Sequence, residues 1–246
     1  MGKIVAVCGL KGGAGKSTLS VLVSGEAAAR GKDVLLADAD TDQKSALRWS
    51  ERAAANKQRV PTCMLFGENL ASPANLPRLA PGFDLTVVDC PPRLKGLQKD
   101  VMALADLLIL PCGPTGFDIE ALGETLDLVR AAHNARPALK SSVVLTRMLS
   151  GQVLSREARG LIAPSGATVM EPTLGFRASV ARATTDGYTL DAWTPRDAAY
   201  AELQAICKEI GRLLRGDDGK EKGPVRGAQS AQRPALRAVS RTGARR

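Results

Sequence analysis

The chain has 246 residues, 44% of them hydrophobic and 3% aromatic, with a formal charge of +9. That length suits one α/β domain with a tail, and a core of Ala, Val and Leu suits a parallel sheet covered by helices. No run of about 18 apolar residues is present to span a membrane, and a strand pattern at the very start leaves no room for a secretory signal.

Lys3–Cys8 (KIVAVC) is an apolar strand run. It leads into Gly9–Thr18 (GLKGGAGKST) and then a helical pattern, Leu19–Arg30, that ends near Gly31, a natural C-cap. Strand, Gly-rich turn, Lys-Ser and helix is the layout of a phosphate-binding loop. Gly12, Gly13 and Gly15 let the backbone curl and aim its N–H groups inward, and the helix adds the positive end of its dipole. Lys11, Gly12, Gly13, Ala14, Gly15, Lys16, Ser17 and Thr18 are therefore the candidate nucleotide-binding residues. Lys16 reaches the β/γ-phosphates and the Ser17 hydroxyl ligates Mg²⁺.

Asp33–Asp38 (DVLLAD) reads as a second strand, running into Ala39-Asp40-Thr41-Asp42-Gln43; Gln43–Asn56 is helical. Thr62–Leu65 is a short strand, and the Pro-rich stretch 72–82 is a loop or broken helix. Leu85–Asp89 (LTVVD) is a buried strand whose terminal Asp89 is placed to hold Mg²⁺, through a water. Leu107–Leu110 is the next strand, ending at Pro111. Ile119–Asn134 is a long helix, with His133, the single histidine, on its solvated side. Ser142–Leu145 is a further strand, and Ser155–Ile162 a short helix opened by Ser155 as N-cap. The alternation gives a doubly wound, mainly parallel α/β sheet. Ligands of such sheets bind beyond the carboxyl ends of the strands, where Gly9, Asp40 and Asp89 all emerge.

Five dispersed cysteines with no CxxC pair point to reduced thiols rather than a disulfide framework. Cys8, Cys90 and Cys112 read as small core residues. The last helix, Ala198–Arg215, places Leu203, Ile206, Cys207, Ile210 and Leu214 on one face, with Lys208, Arg212 and Arg215 as a basic stripe beside it. Residues 1–215 make the domain. Residues 216–246 carry eight basic and three acidic side chains among Gly, Ala, Ser and Pro, the composition of a disordered basic tail.

Leu10 stands where the general phosphate-loop pattern has its first Gly, and Lys11 precedes the Gly pair. KGGxGK[ST] resembles the deviant Walker A loop of the ParA/MinD family of ATPases, and Asp89-Cys90-Pro91-Pro92 resembles its DxPP segment. The stretch from Ala105-Asp106 through Pro111 to Asp118 and Ala121 is similar to a family stretch near the γ-phosphate. Val144–Arg147 stands where relatives carry an adenine-touching LNR segment, with Thr146 in place of Asn. DADTDQ replaces the family's DxDPQ, and distance from the strand favours Asp40 over Asp42 as the acid that orients the attacking water, with Asp38 supporting the loop.

The resemblance implies ATP and Mg²⁺ as cofactors and an ATP-dependent homodimer in which Lys11 acts in trans on the partner's nucleotide. It further implies nonspecific DNA binding through Arg177, Lys208, Arg212 and Arg215. A ParB-like centromere-binding or cargo adaptor protein would stimulate hydrolysis, for plasmid or chromosome partition in a cytoplasmic, nucleoid-associated protein. The segment after Gly216 has only Val225, Leu236 and Val239 as larger apolar residues, too few for a membrane anchor, and there is no room for an N-terminal helix-turn-helix. The rivals are a same-fold ATPase positioning another cargo, such as a conjugation or chemotaxis complex, a metabolic P-loop kinase or ligase, and a DNA-binding module whose loop binds nucleotide without turnover.

Overall fold

Six apolar runs form one sheet: β1 (Lys3–Val7), β2 (Val34–Asp38), β3 (Thr62–Leu65), β4 (Leu85–Asp89), β5 (Leu107–Cys112) and β6 (Lys140–Leu145). Their order is β3-β2-β4-β1-β5-β6, and every strand pair is parallel. The computed structural model describes residues 2–216, so the expected basic tail lies, apart from Gly216, outside the described residues.

Alternate residues on each strand serve opposite faces. Val5, Val7, Leu36, Val87 and Ile109 pack against α1 (Lys16–Ala29) and α9 (Ala198–Arg215), which contribute Leu19, Leu22, Leu203, Ile206 and Ile210. Ala6, Leu35, Val88, Leu108 and Leu110 pack against α4 (Lys95–Leu104), α5 (Gly116–Ala135) and α6 (Val153–Ile162). Cys8, Cys90 and Cys112 are buried in this second core, as their strand positions suggested. The first face is also covered by α2 (Ser45–Ala55), α7 (Ala178–Asp186) and α8 (Leu190–Trp193), while α3 (Leu76–Leu79) with a 3₁₀ turn at Ala80–Gly82 is the broken helix of the Pro-rich stretch. Buried Trp49 of α2 packs against Gly25 of α1, where a Cβ would come 3.0 Å from the indole Cη2.

Three local expectations change. β5 continues through Pro111 to Cys112 rather than stopping at the proline. β1 leaves the ladder at Val7↔Ile109, so the missing proline N–H costs no pairing on that side. α6 begins at Val153 with Gln152 at its N-cap, and the Ser155 hydroxyl instead accepts a hydrogen bond from the Leu149 N–H at 3.0 Å. His133 is half-buried, with Nε2 inside the fold and no hydrogen-bond partner among the described residues. No helix among the described residues is long and apolar enough to cross a membrane.

Candidate functional site

The glycine-rich loop joins the central strand β1 to α1. Gly13 (φ 73°) and Gly15 (φ 92°) adopt left-handed backbone that an L side chain strains to reach. Gly12 is not left-handed, and a Cβ there would meet nothing within 4 Å, so only two of the three expected glycines are dictated by the turn itself. No side chain caps α1 and its first turn carries no acid, which leaves its opening N–H groups suited to an anion.

Three buried polar side chains hold the loop in shape. Gln98 Nε2 of α4 donates to the Gly9 carbonyl at 3.3 Å and to the Pro91 carbonyl at 2.8 Å. The Leu10 N–H donates to Thr125 Oγ1 of α5 at 3.2 Å. Thr146 Oγ1, just beyond β6, donates to the Ala14 carbonyl at 2.9 Å. Gln98 and Thr125 were missed as functional, since each stands among charged neighbours on a helix and nothing in the sequence marks it; Thr146 was weighed only at the position of an adenine contact. The Thr146 hydroxyl proton, at the position compared with an adenine contact, is committed to the loop.

Lys16 is buried, and Nζ donates to the Lys11 carbonyl at 2.8 Å; burial lowers its pKa, against the pull of Asp89. Asp89 is wholly buried at the end of β4 and accepts from Ser20 Oγ at 3.1 Å. Burial pushes its carboxyl up to about 7, opposed by Ser17, Ser20 and Lys16 and assisted by Asp38. Its second oxygen, Oδ2, has no hydrogen-bond partner among the described residues. A buried, unsatisfied carboxylate oxygen beside the Ser17 hydroxyl is a donor set that fits a hard divalent cation such as Mg²⁺.

Asp38 Oδ1 accepts from the Asp40 N–H and Asp38 Oδ2 from the Leu47 N–H, both at 3.0 Å, so Asp38 braces the segment that carries Asp40. Burial raises the Asp38 pKa. Asp40 lines a cavity of about 460 Å³ with Gly12, Gly13, Lys16, Ser17 and Thr18, and Asp42 is exposed outside that lining. The far wall is formed by Thr146, Arg147 and the segment 174–177, in which Phe176 is exposed. Lys11 stands to one side, its ammonium 2.7 Å from Asp118 Oδ1, and the Arg147 guanidinium meets the same oxygen at 2.7 Å.

Of the four residues expected to touch DNA, Lys208, Arg212 and Arg215 lie on α9 and Arg177 is the N-cap of α7. Arg177 is on the cavity wall, its guanidinium bound to Glu202 at 2.6 and 3.1 Å. Lys208 and Arg215 flank a separate groove between α9 and α1, and Arg212 is paired with Glu209 at 2.8 and 3.0 Å.

A family model described as VirC1 protein matches residues 2–182. The chain belongs to the VirC1 family. It is a ParA/MinD-type ATPase by kinship, and its all-parallel sheet is the P-loop fold of that group. The maintenance of carboxysome distribution protein A of Gloeobacter kilaueensis is 32% identical over 222 residues, 85% of this chain and 94% of the relative. The virC1 protein of Rhizobium radiobacter is 27% identical over 161 residues, 64% of this chain and 69% of the relative. Among solved structures, the septum site-determining protein MinD of Pyrococcus horikoshii, complexed with Mg-ADP, superposes with a TM-score of 0.67 at 14% identity, covering 89% of this VirC1-family chain and all of MinD.

Proposed function

We propose that the chain is an ATP hydrolase that dimerises on ATP, rests on DNA without reading its sequence, and moves a large cargo when an adaptor protein triggers hydrolysis. The observation that carries this reading is the single cavity that gathers Lys16, Ser17, Thr18 and Asp40, with Asp89 behind them, in a VirC1-family chain. Lys16 and the loop amides hold the phosphates; Ser17 and Asp89 would hold Mg²⁺, which when bound offsets phosphate charge. Asp40 orients the attacking water, and Lys11 completes the partner's site. DNA is gripped through phosphates, placing the protein on the nucleoid.

The cargo is a plasmid or chromosome in the leading reading, with a ParB-like adaptor. A second reading, a cargo other than a replicon, is favoured by the relative named for carboxysome distribution. The decisive test is a pair of substitutions followed by calorimetry, ATP turnover and light scattering. Lys16→Ala is expected to abolish nucleotide binding. Asp40→Ala is expected to keep ATP-dependent dimers while turnover falls about 10²–10⁴-fold, the usual span for a lost proton-handling group. Normal turnover in Asp40→Ala would remove its assigned role. A metabolic kinase or ligase would instead yield a modified small molecule and gain no DNA affinity from ATP.

A further inference from the structure

Helix α2 carries a line of cations that the nucleotide site does not use. Lys44, at its N-cap, Arg48 and Arg52 are spaced four residues apart, which stacks them on one side of the helix with about 6 Å of rise between neighbours. Arg48 and Arg52 are exposed, and among the described residues none of the three makes a hydrogen bond or ion pair through its side chain. Beside them lies a cavity of about 350 Å³ walled by Arg48, Arg52, Thr18, Ser45, Thr184 and Thr185, with no carboxylate in its lining. Two of the four cations expected to meet DNA differ: Arg177 and Arg212 are already held by Glu202 and Glu209. A cation committed to an acid gains less from a phosphate.

We infer that duplex DNA lies along α2, its phosphates taken by Lys44, Arg48 and Arg52 with the exposed Thr185 hydroxyl beside them, the Thr184 hydroxyl being turned back on the Val180 carbonyl at 2.8 Å. This rests on the DNA-binding step of the proposed function and moves that contact from α9 to α2. A row of guanidinium and ammonium groups, unpaired among the described residues, matches a phosphate row. The apolar residues in the groove's lining, Val21 and Trp49, are only 3% and 2% exposed, too little for the apolar centre that a protein partner needs. The placement also ties DNA to nucleotide. The Lys44 N–H donates to the Asp40 carbonyl at 2.8 Å, and Asp38 accepts from Leu47, so the DNA-bearing helix is hydrogen-bonded to the segment that carries the water-orienting acid.

The test is a fluorescence-anisotropy titration of a random-sequence duplex over a salt series, using the full 246-residue chain with a non-hydrolysable ATP analogue. Arg48→Ala/Arg52→Ala is expected to weaken binding about tenfold or more and to flatten the log affinity–log salt slope by about 2, roughly 0.9 per phosphate contact. The same variant should still dimerise with the analogue and turn over ATP without DNA, and Arg48→Lys/Arg52→Lys should recover most of the slope. Lys208→Ala/Arg215→Ala should change both quantities less. The inference is overturned if the α2 pair binds like the wild type while the α9 pair does not, or if the α2 pair loses dimerisation rather than its hold on DNA. A wild-type chain that binds no DNA in any nucleotide state overturns the DNA step of the proposed function itself.

Discussion

Two cations converge on one oxygen of Asp118, and Thr115 Oγ1 donates to the other at 2.6 Å. Burial alone would raise the Asp118 pKa, but Lys11, Thr115 and Arg147 outweigh it and hold the carboxyl at about 2. Its folded pKa lies below its unfolded value near 3.9, so the cluster stabilises the fold above that pH and loses its contribution as pH falls toward 2. The contribution is roughly 2 kcal/mol at neutral pH. Urea unfolding between pH 2 and 5 should show a smaller loss of stability in Asp118→Asn than in the wild type. The same variant frees Lys11 from its own chain, and light scattering should find ATP-dependent dimers at lower protein concentration. Lys11 and Asp118 were each legible in their motifs. Their pairing was not, because it depends on β1 and β5 lying side by side.

At the level of elements, what could be read followed from how strong the periodic signal was. β1, β2, β4 and β5 are dense apolar runs, whereas β6 opens Lys140-Ser141, two residues before the start expected from its apolar run. α9 keeps a clean helical spacing, so its bounds match those expected from the sequence. α4 and α7 were missed: α4 opens Lys95-Gly96 after a turn, and α7 (ASVARATTD) has Val180 as its one large apolar residue, with two Thr that weigh against helix. Missing α4 also hid Gln98, whose amide ties the loop after β1 to the segment after β4. Gln98→Ala and Thr146→Val should each cost about 1 kcal/mol in urea unfolding, the net worth of a buried hydrogen bond. Calorimetry should show weaker nucleotide binding in both, because the loop is no longer held in its binding shape. Unchanged affinity would reduce these side chains to ordinary core polar groups.

Taken whole, the molecule brings every candidate nucleotide-site group to the carboxyl edge of one parallel sheet, where open α/β folds place their ligands. That convergence was legible because it requires only strand direction and order. The division of basic charge was not, since which cations are already paired depends on packing. The expected tail, outside the described residues, remains the largest concentration of that charge. Deleting residues 217–246 should weaken binding to a random-sequence duplex and flatten its salt slope in the same titration. An unaltered slope would mean that the domain alone supplies the contacts.

The seat of Trp49 against Gly25 has a practical consequence. One of only two tryptophans in the chain is 2% exposed, within the helix that follows Asp40, while Trp193 is 37% exposed and rests on Tyr188. The protein thereby carries its own optical gauge: any slip of α2 across α1 lets water reach the inner indole and reddens its emission, reporting motion beside the nucleotide without an attached dye.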